Sequence, residues 1–167
     1  MERSRFWEII QKSKDYSNND MEVQLVELER ILCLFKSEEI ISFYRVFQDL
    51  MNESYHFDLW AAAYIINDGC TEDEFDYFRG WLISQGEIVF TNALADPESL
   101  VDVIPEKSEE KTFFENIIYA AGRVYFRRLD EEIPLRTDFK WELKGEEWSV
   151  ENVYDKFPKL SSQRKSG

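Results

Sequence analysis

Arg79 stands in the run EDEFDYFRGWLIS, residues 72–84, where a helix turning about 100° per residue would set it among Phe75, Phe78, Leu82 and Ile83. A guanidinium on such an apolar arc has two uses. As an internal fastener it needs a carboxylate or backbone carbonyls, because a buried and unpaired charge costs several kcal/mol. A planar, bidentate pair of this kind would lock two helices together. As a receptor it would hold an anionic or amide-bearing small molecule, with Asp58 or Asp76 as the acid–base group. Asp58, at the start of the preceding apolar run, is the first partner expected for Arg79, and Glu72 is the second. The fastener is the simpler reading.

Other reactive side chains are few. His56 is the only histidine, and Cys33 and Cys70 are the only cysteines. That set does not make a conventional zinc site. A thiol–imidazole pair of His56 and Cys70 would have to span about 20 Å of intervening helix at about 1.5 Å per residue, so no nucleophile is expected there. Cys70 reads as a loop thiol beside a helix cap, and Cys33, among leucines, as a small core residue. The acids of TEDEFD lack the glycine and closing glutamate of a calcium loop, whereas at a helix start they suit its dipole. No glycine-rich phosphate loop or G-x-S-x-G elbow is present, and neither metal nor cofactor is expected. Trp60 and Trp81 recur at core spacing. Trp141 and Trp148 belong to a less regular region and offer either a partner-binding surface or packing onto the helical body.

The elements that would position these residues are helical. Phe6, Trp7 and Ile10 recur at helical spacing near the start. Asn19 with Glu22 makes a capping box before a stripe of Leu25, Val26, Leu28, Leu32 and Phe35. Ser37 is placed to cap a helix whose face is Ile40, Phe43, Tyr44, Phe47 and Met51. DLWAAAYIIN is apolar on every side, the mark of a buried helix, and Gly69 follows as a left-handed stop. Thr71 with Glu74 forms a second capping box, and that helix runs toward Gly86. A short helix follows at EIVFTNALA, before Pro97. After an exposed connection over 103–111, TFFENIIYAAGRVYFRRL predicts one helix burying Phe113, Ile117, Ala120, Val124 and Phe126, with Gly122 marking a close approach. DFKWELKG alternates like a half-buried strand, and Ser149 could cap a short helix through Tyr154. The expectation is a mainly α fold: a single compact multi-helix domain over 1–160, an irregular C-terminal segment with at most one short strand, and a disordered tail over 161–167.

The composition agrees. Of 167 residues, 44% are hydrophobic and 16% aromatic, with only six glycines and four prolines to make turns. The net charge of −14 repels nucleic-acid backbones and anionic membranes and favours a basic protein partner. No apolar run is long enough for a membrane span, and the N-terminus has no secretory signal pattern, which implies a cytoplasmic chain with free thiols.

The sequence resembles an uncharacterised, mainly bacterial family, the domain of unknown function 4240. The resemblance rests on Phe6-Trp7, on SYHFDLWAAAYIINDGCTEDEFDYFRGWLISQG, on FTNALADPESL and on the closing FPKL. It implies no established activity and no catalytic residues. Residue chemistry then favours a non-catalytic cytoplasmic interaction protein with an acidic surface for a basic protein partner, a toxin-neutralising immunity protein being one form. The alternatives are an enzyme at the Arg79 site and a DNA mimic, the last requiring carboxylates spaced like phosphates.

Overall fold

The structure, a computed structural model, describes residues 1–104 and 111–165. Its helices are α1 (Arg3–Ser17), α2 (Met21–Leu32), α3 (Ser37–Glu53), α4 (Phe57–Asn67), α5 (Glu72–Ser84) and α6 (Glu87–Ala95), then a 3-10 helix (Pro97–Asp102). They continue as α7 (Glu115–Ile118), α8 (Ala120–Leu129), α9 (Val153–Lys156) and α10 (Pro158–Lys165). The fold is mainly α, with no sheet among the described residues. In place of the expected strand there is one bridge, where Lys144 O accepts from Phe57 N at 2.9 Å and Lys144 N donates to Tyr55 O at 3.1 Å. Only the short link between α3 and α4 offers free backbone groups there, so the ladder cannot extend.

Helix α5 carries the candidate site and holds the bundle together. Its start follows the capping box: Thr71 Oγ1 accepts from Glu74 N at 3.3 Å, and Glu74 Oε2 accepts from Thr71 N at 2.8 Å. From Phe78 to Ser84 every residue is buried. It packs against α1, α3, α4, α6 and α7. That breadth explains why an arginine on it cannot find solvent. Gly80 allows the approach of the segment before α7, since a Cβ there would come within 2.9 Å of Phe114 O. Helix α4 is buried at Ala61, Ala62 and Ala63, as its all-round apolarity predicts, and packs against α5, α9, α10 and the 3-10 helix.

Several boundaries differ from expectation, each for a local reason. Helix α2 is capped by Asp20, whose carboxylate accepts from Val23 N at 2.9 Å, while Asn19 adopts a left-handed turn. Its buried face takes in Gln24 and Glu27, so Val26 is turned out at 68% exposure. Cys33, at the end of α2, is exposed rather than core. Lys36 occupies the cap of α3, with its N–H donating to Glu39 Oε2 at 3.0 Å, and Ser37 is the first helical residue. Asp68 makes the left-handed stop of α4, one residue before Gly69.

The long helix expected over 112–129 breaks at Tyr119 into α7 and α8, which leaves Phe126 exposed. Gly122 is not a close approach, because a Cβ there would meet only an Ile133 methyl at 3.7 Å. Ser149 precedes a turn, and the helix begins at Val153. Residues 161–165, expected in a disordered tail, continue α10, anchored by buried Leu160 and Ser161. The rest of that tail, 166–167, and most of the expected connection over 103–111 lie outside the described residues.

Candidate functional site

The arc of Phe75, Phe78, Leu82 and Ile83 closes around Arg79 as the spacing predicts, and the arginine side chain is only 3% exposed. One amino group donates to the carbonyl of Met51 near the end of α3, and the other to Asp76 one turn earlier on α5. Three rings surround the guanidinium carbon: Tyr55 at 4.4 Å, Phe75 at 5.0 Å and Trp141 at 5.5 Å from their centroids. Contacts of this kind strengthen when water is excluded. Burial draws the Arg79 pKa below its ordinary value, and Asp76 opposes that. Nε is buried without a partner, so the environment serves two of the three nitrogens.

The expected first partner is elsewhere. Asp58 pairs with Lys156 Nζ at 2.9 Å, tying the start of α4 to α9. Glu72 does not pair with Arg79 either. It lies beside Tyr55, whose pKa is raised by burial and then by the Glu72 charge. Asp76 is the true counter-ion, at an i,i+3 spacing that the sequence displays openly. The Met51 carbonyl and Tyr55 carry no comparable signal, because both depend on how α3 meets α5.

Outside the guanidinium is a cavity of about 290 Å³ lined by Tyr55, Glu72, Asp73, Asp76, Arg79 and Trp141. Glu72 and Asp73 are exposed, the Asp76 side chain is 49% exposed, and Trp141 is 47% exposed. The rim is therefore anionic and aromatic, with its one cation withdrawn behind it. Such a rim suits a cation, an ammonium or guanidinium of a partner, better than an anion.

The second tryptophan behaves differently. Trp148 is partly buried, donates its indole N–H to Phe57 O at 3.0 Å and meets Trp60 edge-on at 6.2 Å. Trp60 in turn stacks on Phe75 at 5.3 Å. Trp148 thus packs onto the helical body, and of the two residues only Trp141 presents a half-exposed ring. His56 caps α4 by accepting Asp58 N at Nδ1, 3.2 Å away, and its ring packs against Gly145. Burial and the Glu74 charge push the Cys70 thiol up to about 12, which keeps it protonated. Among the described residues no group of three or more His, Cys, Asp or Glu side chains converges as a metal site, and no helix is long and apolar enough to cross a membrane.

A family model described as "Protein of unknown function (DUF4240)" matches residues 1–127. The match takes in α1 to α7 and most of α8; the FPKL of residues 157–160 lies beyond it. No curated protein and no solved structure matches the chain.

Proposed function

Because the chain belongs to the family of proteins of unknown function DUF4240, a description that carries no activity, we propose its role from the site: a non-catalytic interaction protein that receives a basic protein partner on the acidic rim of Glu72, Asp73 and Asp76. The observation that carries this reading is the enclosure of Arg79. With two nitrogens engaged inside the protein and three rings around it, the guanidinium has little left to offer an incoming anion. What faces outward is carboxylate and half-exposed indole. A lysine or arginine of the partner would meet the carboxylates, and Trp141 would supply the apolar anchor typical of interface hot spots. The net charge of −14 would speed encounter with a basic surface. We place this role in the cytoplasm, a setting that two unpaired cysteines suit. Neutralisation of a basic toxin is one concrete form of the role.

The test compares wild type with Glu72→Gln/Asp73→Asn as baits in native lysate, at about 0.05 M and about 0.3 M salt. The proposal expects a basic protein held by wild type, weakened by salt and lost from an equally stable double variant. Recovery of no partner at either salt, or equal recovery by both baits, overturns it.

A further inference from the structure

A second cavity, larger than the one at Arg79, lies behind Trp141. Its volume is about 480 Å³, within the range of roughly 300–1,000 Å³ usual for small-molecule sites. Helix α3 supplies Phe47 and Met51, the end of α7 supplies Ile118, and the segment after α8 closes it with Ile133 and Trp141. This segment lies beyond the residues matched to the family, so the pocket joins the family's helices to the chain's own C-terminal lap.

The charged groups in this wall are mainly acidic: Glu132, and Asp76, which already pairs with Arg79. The only basic side chain, Arg123, is committed elsewhere, with Nε on Glu29 at 2.8 Å and Nη2 on Asn116 O at 2.7 Å. Glu132 lines the cavity with no partner among the described residues. Gln48 donates Nε2 to Tyr44 OH at 2.9 Å, while its Oε1 is buried with no partner. A buried carbonyl in that condition is costly, and a turn of the Gln48 side chain would bring it to an incoming N–H. The cavity therefore offers an apolar body, an exposed carboxylate at its edge and, once Gln48 turns, a further acceptor.

We propose that this cavity binds a small amphipathic amine, an arylalkylammonium ion, with its ring against Phe47 and Trp141 and its ammonium toward Glu132 and Gln48 Oε1. The site adjoins the proposed protein-binding rim and shares Asp76 and Trp141 with it, whereas Glu72 and Asp73 take no part in it.

Gly122 provides the decisive variant. It lines the cavity, and a Cβ there meets nothing closer than an Ile133 methyl at 3.7 Å, so Gly122→Leu fills the space from a helix that accepts it. Ligand-observed NMR titration of phenethylammonium and shape-matched 3-phenylpropionate reads the affinity. Wild type should bind the ammonium at least about tenfold more tightly than the carboxylate, a preference narrowed by Glu132→Gln. Gly122→Leu should abolish binding while its melting temperature holds. If that variant does not fold, Leu135→Trp, at a rim position 77% exposed, provides the block. Absence of ammonium binding to wild type, equal binding of both probes, or undiminished binding to a folded blocked variant overturns the proposal.

Discussion

Arg79 and Asp76 form an ion pair with one charge in the core and the other at the surface: the arginine side chain is 3% exposed and the aspartate 49%. Asp76 stays hydrated and gives the buried guanidinium a route to solvent screening, which lowers the desolvation cost of a fully buried pair. The pair is local to α5. The other contacts of Arg79 reach outward, to the Met51 carbonyl on α3 and to Trp141 in the C-terminal segment. Arg79 thus joins three parts of the chain that share no sequence proximity.

Replacing Arg79 with lysine keeps the charge but loses the fork and the flat face that rests among the rings. One ammonium cannot serve both Met51 O and Asp76 in the same geometry. Urea unfolding should show Arg79→Lys less stable by about 2–4 kcal/mol. Asp58→Asn, which breaks the partly exposed pair with Lys156, should cost under about 1 kcal/mol. Wild-type stability in Arg79→Lys would show that Arg79 is not an internal fastener.

Two helical glycines should respond to alanine with opposite signs. At Gly80 the new Cβ meets the Phe114 carbonyl at 2.9 Å, a backbone atom that cannot swing aside. Gly80→Ala should destabilise by about 1–3 kcal/mol. At Gly122 the nearest atom is 3.7 Å away, and helix propensity then favours alanine by about 1 kcal/mol. Thermal melts of the two variants, run side by side, check both signs.

The cysteines should separate by reactivity and by pH. Native protein exposed to a thiol reagent near neutral pH should label Cys33, which is exposed, and spare Cys70 until unfolding. The Cys70 pKa rises from 9.0 to about 12 on folding. Between those values the unfolded chain sheds a proton that the folded chain keeps, so stability falls as pH rises through that window. Below it the contribution is complete. Cys70→Ala should flatten the alkaline loss of stability, and an unchanged slope would exclude this thiol as a contributor.

Trp148 holds the C-terminal lap to α4 through one hydrogen bond and ring contacts with Trp60 and Tyr64. Trp148→Phe keeps most of the ring area and removes the donor, which leaves the Phe57 carbonyl without it. A loss of about 1 kcal/mol is expected in denaturant titration. Stability equal to wild type would show that water replaces the indole there.

Local signals in the chain determined a good deal. Helical spacing placed Phe6, Trp7 and Ile10 inside, all-round apolarity buried Ala61 to Ala63, and Thr71 with Glu74 set the start of α5. The enclosure of Arg79 was legible for the same reason: an arc of Phe75, Phe78, Leu82 and Ile83 marks a face that must be buried, and Arg79 lies on it. Each of these rests on groups within about two turns of one another, where covalent geometry fixes relative position.

Tertiary structure decided the rest. Asp58 and Asp76 are equally acidic in the sequence, but only the packing of α9 near α4 engages Asp58 with Lys156. Val26 and Cys33 look like core by spacing, and the choice of which α2 face meets α1 and α8 turned both outward. Gly80 and Gly122 are indistinguishable as letters; what approaches each one separates them. The cavities at Arg79 and behind Trp141 exist only because a segment distant in sequence folds back across α3, α5 and α8. Such placements are set by long-range packing energies summed over many side chains, and no local pattern encodes that sum.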